Sequence, residues 1–575
     1  MARPSSLTRP LTIVFHLLAI ALGAAYAWAA AGRYSMNADG IAYLDIGDAY
    51  LRGDWATAIN SVWSPLYSWI LGAVLAVARP GMAQEFPLAQ WVNFAIYLAA
   101  LASFGFFWWQ LGRFRHHRLR GPAGDQAIGF SEPAWLALGY LIFITVSLAL
   151  IEIWSVTPDM LMSALVYLVA GLIVRMRRAA PTWLASLLLG LALGLGYLAK
   201  AIMFPLAFLF LGVGLFSGRS ARRNAPGVLL SLLAFCLVSL PYVALISQAK
   251  GRPTIGDAGQ LTFARHVLGL TYPHWQGGPT GFGAPLHPTR QLLESPPVYE
   301  FGAPIGGTYP VSTDPSYWYE GLLIPWDFGR ELGQLLRAGL FFHDLLVRQQ
   351  GGLLLGVVIL HVVSRRRPAG LRDAVSNWGL ALIALASFAM YAAVYVEGRY
   401  VGAMVALLWA DLLANVRLRD TQAWRRLISA ASAMILLSLL LNLAAFTLAG
   451  YQDLQTGQSA ATPAEAQTRP PSWPGEVALA LQQAGLKAGD PVGLIGYGFD
   501  AYWARLGRFK IVAELLDVDA APFWRGEPEL QADVVEAFAA AGAAAIVAEH
   551  VPGDAALPGW RQVNDTNYSF YLLEP

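Results

Sequence analysis

The sequence predicts a polytopic α-helical membrane protein with about eleven transmembrane helices and a small α/β domain at its C-terminal end. Hydrophobic residues make up 56% of the chain and charged residues only 13%, and the mean hydropathy is +0.48. These values lie far outside the range of ordinary soluble domains. Apolar runs of bilayer-spanning length recur before Tyr451, whereas the composition after it is that of a soluble chain.

Eleven apolar runs are candidate membrane spans by their length and composition. In residue numbers they are 11–31, 88–111, 134–153, 160–174, 183–199, 202–216, 228–246, 353–363, 378–396, 401–413 and 427–448. The first run follows Arg3 and Arg9 and ends in small residues, as a signal peptide does. Its length of about 20 residues favours an uncleaved helix over a signal segment, whose apolar part has roughly 7–15.

Clusters of arginine and lysine orient these runs, because basic loops stay on the cytoplasmic side. The clusters at 3–9, 113–120, 175–178, 219–223, 365–372 and 417–426 all fall on one side if the eleven runs span. The N-terminus is then inside and the C-terminus outside. An apolar segment at 66–78 would break this pattern as a span and is short for a crossing, so we expect it to form a helix at, or dipping into, the outer surface.

The chain divides into a transmembrane domain (1–450), a linker (451–475) rich in Pro, Thr, Ala and Gln, and a C-terminal domain (476–575). Two large segments are predicted outside, the first loop (32–86) and the long loop (247–352). In the C-terminal domain, helices alternate with strands, which predicts a small, mainly parallel sheet covered by helices. The helices are predicted at 476–484, 501–506 and 530–541, and the strands at 492–497, 510–515, 543–548 and 568–573.

Composition also excludes some classes of function. The net charge of +2 does not indicate nucleic-acid binding. The single cysteine, Cys236, excludes an internal disulfide framework and a thiolate metal site. The long loop is rich in aromatic residues, which stack on sugars but also belong to ordinary membrane-interface belts. Its histidines have no metal-binding spacing, and the chain has no Walker, HExxH or serine-elbow motif.

Asp39 is the first candidate for chemistry, because an ionisable group a few residues beyond a membrane span is a functional candidate by default. A carboxylate at this place can take a proton from an acceptor hydroxyl. Tyr43 lies four residues on and shares a face with Asp39 if the segment is helical. The alternative is that Asp39 caps a surface helix, since Asn37 and Gly40 are also good helix-start residues.

Three further sites each have two interpretations. Asp159 opens the fourth span, either as a second carboxylate beside Asp39 or as an ordinary helix-start residue. Lys200 interrupts an apolar stretch and either snorkels to the interface or contacts a phosphate. Arg399, in a turn between two late spans, either binds a lipid phosphate through its planar fork or pairs internally with Glu397.

Five segments carry a resemblance to a known superfamily. They are NADGIAYLDIGDAYLRGDW after the first span, WSPLYSWILG at the end of the first loop, SVTPDML at the fourth span, GLGYLAK closing the fifth, and EGRY between late spans. Together they resemble the C-type (GT-C) glycosyltransferases that use lipid-phosphate sugars, a superfamily that includes protein O-mannosyltransferases and lipid A aminoarabinose transferases. The resemblance covers roughly residues 11–413, and the C-terminal domain resembles the extracytoplasmic domains of some bacterial members.

The resemblance implies an inverting glycosyltransferase of the bacterial inner membrane. It would move a sugar from a polyprenyl-phosphate donor to a lipid, glycan or protein acceptor at the outer face. Asp39 and Asp159 are the expected catalytic residues. The expected partners are the lipid bilayer, the polyprenyl-phosphate sugar as donor substrate, and the acceptor; no cofactor is assigned, and a divalent ion at Asp159 is left open. The residues expected to contact substrate are Tyr43, Lys200, Glu397, Arg399, Tyr400 and Arg265.

Two departures from the aminoarabinose transferases leave the sugar, the acceptor and any metal undefined. Ser64 stands where those enzymes have a lysine before the proline, and Gly40 replaces their acidic residue after the first aspartate. The rival interpretation is a transporter or flippase of lipid-linked sugars. It would need charged residues within spans, often with internal repeats, and the sequence has few of the former and no convincing repeat.

Overall fold

The computed structural model is mostly helical. It describes residues 8–119, 127–178, 181–218, 220–270, 273–278, 280–303, 306–364, 371–456, 473–526, 528–552 and 558–573. Most of the predicted linker (451–475) lies outside the described residues, as do Arg3, Arg120, Arg219 and Arg365–Arg367 of the basic clusters.

Each of the eleven apolar runs lies largely in helix, although several helices begin or end a few residues from the predicted bounds. The run at 134–153 is covered by the α-helix Glu132–Thr145 and by the π-helical segment Val146–Leu150 that continues it. The helices before the C-terminal domain are α1 (Thr8–Ala31), α2 (Ala38–Arg52), α3 (Trp55–Ala58), α4 (Pro65–Ala78), α5 (Met82–Leu119), α6 (Glu132–Thr145), α7 (Asp159–Met176), α8 (Trp183–Ala199), α9 (Met203–Phe216), α10 (Ala221–Ala249), α11 (Ala258–His266), α12 (Pro310–Thr313), α13 (Pro315–Trp318), α14 (Phe328–His343), α15 (Gly351–Val363), α16 (Leu371–Ala392), α17 (Gly398–Ala414) and α18 (Gln422–Thr456).

Length and composition identify fewer certain spans than the sequence predicts. Among the described residues, 6 helices are long and apolar enough to cross a membrane, or 7 if the pair Phe328–Gln349 and Gly351–Val363, bent by 83°, forms one span. Other apolar helices are shorter, among them α4, α8 and α9. The protein is therefore a multi-pass membrane protein by these criteria, and the count of eleven spans stays a prediction.

The segment at 66–78 is a helix, α4, and it packs against α2 of the first loop. Ser64 precedes the helix and Pro65 opens it, where the missing amide hydrogen of proline costs no hydrogen bond. The two helices touch through glycines: a Cβ on Gly47 would lie 2.9 Å from the Ser68 carbonyl oxygen, and one on Gly72 would lie 3.0 Å from the Gly47 carbonyl oxygen. This close backbone approach fixes α2 beside α4.

The C-terminal elements lie close to their predicted positions, but the sheet is not mainly parallel. Two pairs of adjacent strands are parallel. They join β5 (Pro491–Gly496) to β6 (Lys510–Leu516) on one side and to β7 (Ala545–Ala548) on the other. The other pairs of adjacent strands are antiparallel. Two of these pairs, β2–β3 and β8–β9, are short hairpins, and a short hairpin connection cannot make a parallel pair. The remaining elements are β1 (Ala127–Ile128), β4 (Leu418–Arg419), which pairs with β1, β8 (Arg561–Gln562), β9 (Ser569–Leu572), α19 (Gly475–Gln483), α20 (Tyr502–Gly507), α21 (Ala521–Arg525) and α22 (Pro528–Ala540).

Two strands of this sheet come from the long loop. The hairpin of β2 (Arg290–Glu294) and β3 (Pro297–Glu300) adds to β6, so that the spatial order is β2-β3-β6-β5-β7-β9-β8. The sheet therefore contains more than the residues assigned to the C-terminal domain, and it connects that domain to the long loop.

Candidate active site

A cavity of about 590 Å³ lies where the first loop, the turn before α7 and the start of α17 meet. Charged and apolar side chains share its wall. The charged ones are Asp39, Glu152, Glu397 and Arg399, and the apolar ones include Phe341 and Leu345 from the end of α14 and the turn that follows it. Such a mixture of an apolar wall and a few convergent charges is typical of a ligand site.

Asp39 is the second residue of α2, and its carboxylate is in direct contact with a cation on the cavity wall. Its Oδ2 accepts a hydrogen bond from Arg399 Nη1 at 2.8 Å. Asn37 occupies the helix-capping position but makes no side-chain cap bond. Its side chain instead accepts from the Val156 amide at 2.9 Å and donates to the Val156 carbonyl at 3.4 Å. The first turn of α2 is thereby tied to the segment that leads into α7, and the capping alternative for Asp39 finds no support.

Arg399 lies at the centre of the cluster. Its Nε donates to Glu397 Oε2 at 2.6 Å, its Nη2 to the Tyr400 hydroxyl at 3.3 Å, and its Nη1 lies 3.9 Å from Asp159 Oδ2. Burial opposes the positive charge, but Asp39 and the other anionic partners raise the pKa of Arg399 above its ordinary value. The internal pair with Glu397 is present, and it coexists with the contact to Asp39.

Lys200 and Asp159 form a second ion pair behind Arg399. Lys200 Nζ contacts Asp159 Oδ1, and the Asp159 side chain is only 2% exposed. The same ammonium lies 3.8 Å from the centre of the Tyr400 ring, where the aromatic face attracts a cation. Burial lowers the pKa of Lys200, and Asp159 partly offsets this. Lys200 is therefore directed into the cluster rather than toward the interface.

The structure brings together all but one of the predicted site residues. Tyr43 is buried one turn after Asp39 and packs edge-on against Trp63 and Tyr67, with ring centres 5.1 and 5.2 Å away. Burial, then the nearby Asp39 charge, raises the pKa of Tyr43 well above its usual value. Arg265 lies on α11 and hydrogen-bonds Tyr497 of the C-terminal domain, so its substrate contact stays a prediction.

Three functional candidates were not predicted as site residues. Glu152 lines the cavity with a backbone φ of 59°, a strained conformation for a non-glycine residue. Gln90 and Asn93 of α5 donate to backbone carbonyls of residues 153–155 at 2.8–3.1 Å and hold the turn before α7. Two polar residues spaced three apart in an apolar run were the available signal for this pair.

Two histidines of the long loop, His274 and His287, make contacts within that loop or with the C-terminal domain, whereas His266 stacks on the Tyr395 ring with ring centres 3.8 Å apart. His274 Nε2 lies 2.7 Å from Glu514 Oε1, which also accepts from the Tyr309 hydroxyl at 2.6 Å, and His287 pairs with Glu320 at 3.0 Å. Among the described residues, no three His, Cys, Asp or Glu side chains are arranged to hold a metal ion. At Asp159 itself, Lys200 and Arg399 are the groups that face the carboxylate.

Comparison with solved structures identifies the fold. The ArnT from Cupriavidus metallidurans bound to undecaprenyl phosphate aligns with 96% of this chain and 97% of its own at 12% identity and a TM-score of 0.51. The apo form of the same protein aligns with 93% of each chain at 13% identity and a TM-score of 0.49. The apo oligosaccharyltransferase from Archaeoglobus fulgidus aligns with 95% of this chain and 70% of its own at 12% identity and a TM-score of 0.47.

No protein-family model and no curated protein sequence matches the chain. At such low sequence identity, the structural alignment establishes architecture and leaves activity to be argued from the site. The predicted resemblance in fold is confirmed: the chain has the fold of the C-type glycosyltransferases.

Proposed function

We propose that the protein is an inverting glycosyltransferase that transfers a sugar from a polyprenyl-phosphate donor to a lipid, glycan or protein acceptor at the outer face of the bacterial inner membrane. One observation carries this proposal. A carboxylate, Asp39, and a guanidinium, Arg399, meet at 2.8 Å on the wall of one cavity. The reaction needs one group of each sign, a base for the acceptor and a cation for the departing phosphate.

The lipid-phosphate donor has independent support. The structure of ArnT with a similar fold contains undecaprenyl phosphate. In this chain, a planar guanidinium that can bind two oxygens at once faces the cavity beside an ammonium, which suits a phosphate headgroup. The basic clusters of the sequence support an outer location for the cavity.

In the proposed reaction, the acceptor hydroxyl oxygen attacks the anomeric carbon of the donor while Asp39 takes the hydroxyl proton. The bond from that carbon to the phosphate oxygen breaks, and its electron pair leaves with the lipid phosphate. Attack opposite the leaving group inverts the anomeric configuration. Because the phosphate departs as a stable anion, it needs charge stabilisation by Arg399 and Lys200 rather than a proton.

The contacts of Arg399 give the cluster a way to couple donor binding to base release. Glu397 accepts from Nε at 2.6 Å, and Nη1 is the group bonded to Asp39. A phosphate that binds Nη1 competes with Asp39 for it and leaves the carboxylate free to accept a proton. Asp159 keeps Lys200 in place, and Tyr400 lies beneath the ammonium. Tyr43 lies on the same helix as Asp39, and its packing against Tyr67 fixes the first turns of that helix.

The test is transfer of radiolabelled sugar from a panel of polyprenyl-phosphate sugars by the purified protein and by Asp39→Asn. We expect transfer by the wild type and a loss of at least about 100-fold in the variant, the lower limit of the range for removing a general base. Asp54→Asn is the matched control, because Asp54 lies in the same first loop and caps α3, a role that asparagine also fills. Full transfer by Asp39→Asn would refute the assignment. Movement of lipid-linked sugar across proteoliposomes without transfer would favour the flippase.

A further inference from the structure

Arg505 of the C-terminal domain makes a buried ionic contact with the helix that carries Asp39. It lies in α20, its side chain is 1% exposed, and its nearest acidic partners are more than 400 residues away in the sequence. Nη1 lies 2.7 Å from Asp45 and 2.6 Å from Asp48, and Nη2 lies 3.1 Å from Glu85. One guanidinium therefore joins α20 to both α2 and the start of α5.

Arg505 supplies one of the two positive charges in this contact, and it is the buried one. Arg508 also contacts Asp48 and Glu85, but its side chain is half-exposed. Three carboxylates thus face two guanidinium groups, and removal of Arg505 would leave the buried Asp45 with no cation. Burial opposes the charge on Arg505, but Glu85, Asp45 and Asp48 raise its pKa well above the ordinary value.

Asp45 connects a third segment to the same point. Its carboxylate accepts from the Thr308 amide at 2.7 Å and from the Thr308 hydroxyl at 3.0 Å. A buried carboxylate that loses its cation either moves toward water or takes up a proton, because its desolvation is no longer compensated. Asp45 is part of α2, so any movement toward water displaces the helix.

A displacement of α2 also moves the proposed base, Asp39. Asp39 lies on the same helix six residues before Asp45, about 9 Å along the axis at 1.5 Å per residue. A helix moves as a rigid unit over two turns, and a shift of about 1 Å at a reacting group costs on the order of 100-fold in rate. The Arg399 contact to Asp39 and the Asn37 contact to Val156 both depend on where the first turn of α2 lies.

We infer that Arg505 is a positioning residue for the transfer reaction: it holds α2 through Asp45 and Asp48 and thereby sets the place of Asp39 in the cavity. This inference rests on the proposed function. It assigns the C-terminal domain a part in arranging the reacting groups, in addition to any contact with the acceptor.

The test compares four proteins in transfer activity, thermal stability and hydrogen exchange: wild type, Arg505→Met, Arg505→Lys, and Arg505→Met combined with Asp45→Asn. The double variant removes one negative charge and one positive charge, so the net charge of the buried contact returns to its original value. We expect Arg505→Met to lower kcat 10- to 100-fold with an unchanged KM for the donor, and to speed exchange in 38–52. Arg505→Lys should give a smaller loss. Arg525→Met, an exposed arginine of the same domain, is the control.

The double variant separates positioning from stability. We expect it to regain most of the thermal midpoint lost in Arg505→Met while kcat stays low, because the unpaired buried carboxylate is gone but the guanidinium that joins α2 to Glu85 is not replaced. If kcat returns to the wild-type value together with the midpoint, Arg505 acts only through stability and the inference is overturned. Unchanged kcat in Arg505→Met also overturns it. If the wild type transfers no sugar, the proposed function fails, and the exchange of 38–52 alone decides whether Arg505 holds α2.

Discussion

The substitution Arg399→Lys tests whether the geometry of the guanidinium, and not merely its charge, serves the reaction. Lysine keeps the positive charge but has one nitrogen where arginine presents Nε to Glu397 at 2.6 Å and Nη1 to Asp39 at 2.8 Å. Its three N–H donors radiate from one atom and cannot reproduce the planar spacing of Nε and Nη1, so we expect only one of the two contacts to keep its hydrogen-bond geometry. One charge-assisted hydrogen bond is therefore lost, which is worth about 1.5–3 kcal/mol.

The structure places the expected cost at the lower end of that range. The side chains of Arg399 and Asp39 are 21% and 30% exposed, so water replaces part of the lost interaction. We expect a loss of about 1.5–2 kcal/mol, which corresponds to roughly a 10- to 30-fold fall in kcat/KM. Steady-state transfer assays and a direct measurement of polyprenyl-phosphate binding would locate the loss in binding, in chemistry or in both.

Asp39→Asn provides the contrasting result in the same assays. If phosphate and Asp39 compete for Arg399 Nη1, this variant should bind polyprenyl phosphate at least as tightly as the wild type while it loses transfer. Arg252→Lys is the matched control, because that arginine pairs with Asp257 in the long loop, outside the cavity. Wild-type values of both kcat and binding in Arg399→Lys would refute the argument, as would weaker phosphate binding in Asp39→Asn.

Three further predictions concern stability. Lys200→Met leaves the buried Asp159 without its closest cation and should destabilise the protein by about 2–4 kcal/mol, seen as a lower thermal midpoint that Asp159→Asn partly restores. Gly47→Val drives a side chain into the backbone of α4, so it should lower the free energy of unfolding by about 1–3 kcal/mol and reduce transfer activity. Gly81→Ala, whose added methyl group meets open space, should change neither stability nor activity. Burial raises the pKa of Glu549 to about 7 from an ordinary 4.5, so the folded state holds this proton more tightly. The contribution of the Glu549 carboxyl to stability is fully present below pH 4.5 and is lost as the pH rises through 7. The loss amounts to about 3 kcal/mol. Thermal scans of Glu549→Gln should lack that part of the pH dependence.

The helices were predictable from the sequence because their signal is local. Apolar length and turn residues mark each one, and in the C-terminal domain the alternation of helices and strands gives nearly the observed bounds. The sheet pairing was not predictable in the same way. The β2–β3 hairpin consists of two short strands within the long loop, of 5 and 4 residues, and only its contact with β6 shows that it belongs to the sheet.

The site residues show the same difference between local signals, which the sequence reveals, and long-range contacts, which it does not. Asp39 and Arg399 could be singled out because each lies beside an apolar run, although 360 positions separate them and their contact was not visible in the sequence. Arg505 could not be singled out, since an arginine in a short helix of a soluble domain is normally exposed. Its burial arises only because α20 docks against α2. Long-range ion pairs of this kind leave no periodic signal in either partner segment.

The position of Asp39 thus depends on three supports from different parts of the chain: the Asn37 contact to Val156, the glycine contact of α2 with α4, and the Arg505 contact to Asp45. Deletion of residues 476–575 would remove the last support, strip β3 of its partner strand and leave three carboxylates facing no arginine of that domain. An inactive truncated protein would therefore say nothing about acceptor binding by the C-terminal domain. Point substitutions at Arg505, which leave the sheet intact, can distinguish an acceptor-binding role from a positioning one.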